Sequence, residues 1–127
     1  MNQKLLIIAF LITNFLFSQN IVWETEFDFI KSNSSPRSVD LNGDGIEDIV
    51  LSGGVDGFPS PFGAMAIDGT NGEVLWTAEN GNEWFLSAQH FDQNEDLIPD
   101  LIFGGRDAEL QLIDGSNGNL IWEFWES

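Results

Sequence analysis

The sequence predicts an all-β protein: one lone strand followed by two units of four short antiparallel strands. Two observations carry that expectation. The chain repeats itself at a spacing of about fifty residues, and each copy alternates short apolar runs with turns rich in Gly, Asn and Asp. No stretch sustains the apolar period of a helix.

The repeat is read from two pairs of segments. Ala66-Ile-Asp-Gly-Thr-Asn-Gly-Glu-Val-Leu-Trp76 matches Leu112-Ile-Asp-Gly-Ser-Asn-Gly-Asn-Leu-Ile-Trp122 at an offset of 46 residues. Upstream, Asp40-Leu-Asn-Gly-Asp-Gly-Ile-Glu-Asp48 matches Asp92-Gln-Asn-Glu-Asp-Leu-Ile-Pro-Asp100 at an offset of 52. The difference is absorbed where Val55–Gly63 is longer than Arg106–Ala108, as for a loop inserted on one face of a repeated unit. Strands are expected at Arg37–Leu41, Asp48–Leu51, Ala64–Ile67 and Glu73–Ala78, and again at Leu86–Phe91, Asp100–Phe103, Glu109–Ile113 and Leu120–Trp125. The runs Ile49-Val-Leu51 and Leu101-Ile-Phe103 are continuously apolar, which predicts burial on both faces. Asp68-Gly-Thr-Asn-Gly72 and Asp114-Gly-Ser-Asn-Gly118 are turn sequences, with Gly and Asn supplying positive φ. A third copy of the last strand, Ile21-Val-Trp23-Glu24, precedes both units.

Four-stranded units recurring at this period are the sequence sign of a β-propeller. Two blades do not close a ring of four to eight, so the chain reads as the N-terminal piece of a larger propeller, or as a unit that assembles into an oligomer. The division is a signal at 1–18, the lone strand and a linker at 19–35, one blade at 36–80 and a second at 81–127.

The segment before Gln19 has Lys4 followed by an apolar run from Leu5 to Phe17 broken only by Thr13 and Asn14, then Ser18. That is the form of a secretory signal, too short to anchor in a membrane. The protein is therefore expected outside the cell or in the periplasm. With no Cys in 127 residues, its stability must come from packing or from metal. Against 21 Asp and Glu there are 4 Lys and Arg, for a net charge of −17. Such a surface disfavours nucleic acid and anionic lipid, both of which demand basic residues, and it favours divalent cations.

The spacing of the acids is more specific than their number. Asp40, Asn42, Asp44 and Asp48 place side-chain oxygens at positions 1, 3, 5 and 9 of a tight loop, and the carbonyl of Ile46 adds a ligand at position 7. Calcium takes six to eight oxygens in irregular geometry, whereas magnesium demands a stricter octahedron. Crowded carboxylates repel one another without a cation, so calcium is the expected cofactor. Asp92, Asn94, Asp96, Ile98 and Asp100 repeat the set, but Leu97 stands where Gly45 eases the first loop, which predicts a strained, weaker second site. An EF-hand would need Glu at position 12 and flanking helices. Position 12 is Leu51 or Phe103, and the flanks read as strands.

On these residues the chain resembles the FG-GAP or VCBS-type repeats of integrin-alpha-like propellers, whose acidic loops run directly into an apolar strand. The Asp-Gly-x-x-Gly-x-x-x-Trp element is similar to the tryptophan-docking repeat of quinoprotein-type propellers. The resemblance covers residues 21 to 125. It implies a calcium-stabilised scaffold used for adhesion, binding a protein or glycan ligand. An alternative is the N-terminal part of a propeller enzyme, such as a calcium-dependent polysaccharide lyase or a quinone-dependent dehydrogenase.

Trp23, Trp76 and Trp122 recur at one position and are expected to pack unit against unit. Trp84 and Phe85 fall outside the repeat, and Trp125 lies near the end of the sequence. The loop Val55–Phe62 is the best candidate for specific recognition. His90, the single His, is expected to make a structural hydrogen bond. No Ser–His–Asp set, Gly-rich phosphate loop or zinc-type cluster can be assembled from the sequence, while paired carboxylates for glycoside cleavage stay open as an alternative to metal binding.

Overall fold

Each repeated unit folds as one antiparallel sheet. In the computed structural model, which describes residues 20–27, 35–53, 60–80, 84–105 and 109–125, the first sheet comprises β1 (Arg37–Val39), β2 (Asp48–Ser52), β3 (Ser60–Ile67) and β4 (Val74–Asn80). The second comprises β5 (Trp84–Phe91), β6 (Asp100–Gly105), β7 (Glu109–Ile113) and β8 (Leu120–Trp125). Both are meanders in which neighbours in sequence are neighbours in space, β1-β2-β3-β4 and β5-β6-β7-β8. Short turns impose that order, because antiparallel strands can be joined by a few residues and parallel ones cannot. Among the described residues no helix is long and apolar enough to cross a membrane.

The registers carry the repeat into space. Ala64 pairs with Ala78 and Ala66 with Trp76 in the first sheet. Leu110 pairs with Phe124 and Leu112 with Trp122 in the second. Both third-to-fourth strand pairs contain a register shift just before the turn, at Ala66/Ile67 and at Leu112/Ile113.

The side chains of β2 alternate. Asp48, Val50 and Ser52 are buried, while Ile49 and Leu51 between them are half-buried. Continuous apolarity thus overstated the burial of this strand on its second face. The core lies between the sheets. Val39, Leu41, Val50, Ala64, Ala66, Trp76 and Ala78 of the first unit form one cluster with Leu101, Phe103 and Ile113 of the second. One face of the first sheet therefore covers the opposite face of the second. Alanine at 64, 66 and 78 keeps the covered face low enough for the partner's larger side chains to approach, a volume match that close-packed interiors require.

Four expectations are corrected. The strand expected at Arg37–Leu41 stops at Val39, because Asp40 and Leu41 already belong to the acidic loop. Residues 20–27 form no strand, although Trp23 docks as described below. Trp84 and Phe85, read as outside the repeat, pair with Gly105 and Gly104 as the start of β5. Ser60–Gly63, read as part of an inserted loop, open β3. The apolar leader, the rest of that loop, the side chain of His90 and Arg106–Ala108 lie outside the described residues.

Candidate metal centre

Each acidic loop is closed by its own carboxylates. In the first, Asp40 accepts backbone N–H groups from Gly43 at 2.7 Å and Gly45 at 3.0 Å, one on each oxygen. The Asn42 side-chain oxygen accepts from the N–H of Asp44 at 2.9 Å, and Asp44 accepts from the N–H of Ile46 at 2.7 Å. Short polar side chains that bond the backbone two residues on are the local chemistry of Asx turns. They curl the chain around the acid groups. Gly43 and Gly45 adopt φ of 75° and 83°, in the left-handed region that glycine enters freely.

The second loop closes similarly, except that Asp92 takes the N–H of Asp96 where Asp40 takes that of Gly43, the counterpart of Glu95. Asp92 accepts from the N–H of Asp96 at 3.2 Å and Leu97 at 2.9 Å, and Asp96 accepts from the N–H of Ile98 at 2.8 Å. The glycine positions are filled by Glu95 at φ 62° and Leu97 at φ 75°. Side-chain crowding disfavours this region for both. The sequence pointed to Leu97; Glu95, in the place of Gly43, was missed.

Asp48 and Asp100 play a part distinct from the exposed acids. Both are fully buried. Asp48 accepts from the N–H of Leu41 at 2.8 Å on one oxygen and from the N–H of Gly69 at 3.0 Å on the other. Asp100 does the same with Gln93 at 2.8 Å and Gly115 at 3.3 Å. One carboxylate thus ties the start of its acidic loop to the turn between the third and fourth strands. That turn approaches so closely that a Cβ on Gly69 would lie 2.0 Å from the Glu47 carbonyl oxygen, and one on Gly115 would lie 1.9 Å from that of Pro99. The turns are shaped by Gly72 and Gly118, at φ 79° and 78°. The expected positive φ falls on glycine alone. Asn71 and Asn117 instead accept from the N–H groups of Glu73 and Asn119.

The turns also reach the exposed acids. The Thr70 hydroxyl donates to Asp44 at 3.2 Å, and the Asn94 amide donates to Asp114 at 3.1 Å. Neither Thr70 nor Asp114 was singled out from the sequence, though the turn motif recurs wherever the acidic loop does. Burial of Asp114 opposes its charged form, but hydrogen bonds from Ser116, Asn117 and Asn94 outweigh it and hold the carboxyl below its ordinary range.

Asp40, Asn42 and Asp44 therefore lie together on one exposed loop, as do Asp92, Asn94 and Asp96, with Asp48 and Asp100 behind them. No group of three or more His, Cys, Asp or Glu is gathered as a metal-holding cluster among the described residues. The donor set is all oxygen, the set a hard divalent cation takes. Each carboxylate oxygen that accepts one N–H keeps a second lone pair.

The tryptophans join one unit to the next. The Trp23 indole N–H donates to the Gly69 carbonyl at 2.8 Å, and that of Trp76 donates to the Gly115 carbonyl at 2.7 Å. Trp122 donates to the side-chain oxygen of Gln93 within its own unit, at 2.8 Å. Comparison with known proteins finds no matching family model, no matching curated protein and no matching solved structure.

Proposed function

We propose that the chain is a calcium-stabilised, non-catalytic repeat module of a secreted or surface protein, built of propeller-type blades and serving to bind a protein or glycan ligand. The observation that supports it is a doubled one. In both units an Asx-closed acidic loop sits on the turn before the fourth strand, tied to it by a buried aspartate. In each loop the exposed oxygens of positions 1, 3 and 5 would hold the ion, with Ile46 or Ile98 offering a backbone carbonyl. Bound calcium would neutralise the loop's carboxylates and brace the loop against the turn. Calcium is assigned a structural part because the loops lie where strands meet.

Thermal unfolding of the chain during calcium titration tests this reading. The melting temperature rises, with a midpoint at roughly 10⁻⁴–10⁻³ M, the range of extracellular modules. The Asp44→Ala, Asp96→Ala double variant loses the rise. An unchanged melting temperature in the parent chain, or an equal rise in the double variant, overturns the reading.

A further inference from the structure

The two units are built alike, and three of the positions at which they differ meet in one cleft. The registers make Met65 and Thr77, a cross-strand pair of the first sheet, the counterparts of Gln111 and Glu123 in the second. By the same registers Ala78 is the counterpart of Phe124. Gln111, Glu123 and Ala78 all line a cleft of about 420 Å³ between the sheets, a volume within the usual range of ligand pockets. Ala78, Gln111 and Ile113 are its buried floor, and Asn119, Leu120 and Glu123 stand exposed at its rim.

Met65 is buried as Gln111 is, so the fold itself accepts an apolar side chain at this place in the repeat. Burying an amide there is the more costly choice, and choices that run against the needs of the fold collect at functional sites. Gln111 donates to Glu123 at 3.4 Å, a long bond for an amide and a carboxylate. A carboxylate has about four acceptor positions, so Glu123 keeps capacity for a further donor. Ala78, standing where the second unit has Phe124, leaves the room that such a donor needs.

The lining selects the class of ligand. Its one charged side chain is Glu123, on a chain of net charge −17, which favours a cation and disfavours an anion. A calcium ion would call for more carboxylates than this one. Side-chain oxygens of Gln111 and Asn119 are further acceptors, and Ala78, Ile113 and Leu120 supply apolar wall. An apolar stem that ends in a planar fork of N–H donors matches both parts of this lining, and that is the form of arginine.

We propose that this cleft takes an arginine side chain of a protein ligand, with the guanidinium on Glu123 and Gln111 and the stem along Ile113 and Leu120. The proposal rests on the reading of the chain as a binding module and selects protein over glycan as what it binds. It does not rest on calcium, because no lining residue belongs to an acidic loop.

Titration of the isotope-labelled full chain with N-acetyl-arginine methylamide, followed by amide resonances, tests it. The solution holds about 0.15 M salt to screen the acidic surface, and the titration is run both in chelator and in about 5 mM calcium, above the range of extracellular sites. The resonances of Gln111, Asn119 and Leu120 shift in both, with a Kd on the order of 1 mM, as expected for so small a ligand. Glu123→Gln weakens binding about tenfold, Gln111→Met weakens it by a smaller factor, and Glu73→Gln, at an exposed acid outside the cleft, leaves it unchanged. The citrulline derivative, equal in shape and uncharged, and methyl glucoside leave the cleft resonances unmoved. Shifts confined to the acidic loops, equal binding by the Glu123→Gln chain, or an equal response to citrulline or to the glucoside overturns the proposal. Calcium binding is read separately from the melting temperature, so the failure of one reading is not mistaken for the failure of the other.

Discussion

The indole N–H of Trp76, on the last strand of the first sheet, donates to the carbonyl of Gly115 in the β7–β8 turn of the second at 2.7 Å. The ring lies flush against Gly118 of the same turn. One side chain therefore holds the two sheets by a polar and an apolar contact at once. Gly115 is also the residue whose N–H reaches the buried Asp100. Sheet packing, turn and acidic loop are in that way one connected structure.

Trp76→Phe tests the polar half of this contact. It keeps most of the apolar ring and leaves a buried carbonyl without its donor, which costs about 1–3 kcal/mol. Trp76→Ala empties the site and costs about 3–5 kcal/mol. Trp122→Phe, whose N–H bond lies at the surface, changes stability by less than about 0.5 kcal/mol. Urea unfolding ranks the losses with Trp76→Ala largest, then Trp76→Phe, then Trp122→Phe, and equal losses at positions 76 and 122 would contradict the assignment.

Two glycines of the first unit separate crowding from backbone strain. A Cβ at Gly69 meets the Glu47 carbonyl oxygen, a backbone atom that cannot swing aside, so Gly69→Ala costs about 3 kcal/mol or more. Gly45 has open space around it, but φ is 83°. Gly45→Ala therefore costs only the left-handed conformation, about 1–2 kcal/mol. Denaturant midpoints with unchanged m-values distinguish the two.

The fully buried Asp48 gives a further separation, of scaffold from exposed ligand. Asp48→Ala strands the N–H groups of Leu41 and Gly69 and costs about 3 kcal/mol or more even with calcium chelated. Asp48→Asn keeps one acceptor oxygen and falls between. Asp44→Ala, on the exposed loop, costs about 1 kcal/mol in chelator and more when calcium is supplied. Melting curves with and without chelator check the contrast.

Much of this was legible from the chain. The repeat fixed strand order because a tight turn leaves an antiparallel neighbour as the only solution, and the glycine of each Asp-Gly-x-Asn-Gly turn predicted its positive φ. Three features were hidden. The burial of β2 depends on which face the other sheet covers, and apolar composition cannot distinguish the two faces. The inward turn of Asp48 and Asp100 follows from backbone N–H groups distant in sequence, so from the loop pattern alone position 9 reads as one more metal ligand, with no sign of its tie to the turn. Trp23 looked like a strand because it matches Trp76 and Trp122 in sequence, yet a tryptophan can dock on a turn without belonging to a sheet.

The second loop should be improvable by removing side chains. Leu97 is 89% exposed, so it contributes no packing, and it holds φ 75° where Gly45 stands in the first loop. Leu97→Gly relieves a conformation worth about 1–2 kcal/mol and gives back about 0.5–1 kcal/mol through the freer unfolded chain. A net gain of about 0.5–1 kcal/mol follows, and Glu95→Gly behaves alike. If this strain is also what weakens the second loop toward calcium, then in an Asp44→Ala background, where that loop is left to respond, the melting temperature of the Leu97→Gly chain rises at lower calcium. A Leu97→Gly chain no more stable than its parent would show that the strain is relieved elsewhere in the loop. A stabilised chain with an unshifted calcium midpoint would show that the ion does not depend on this turn.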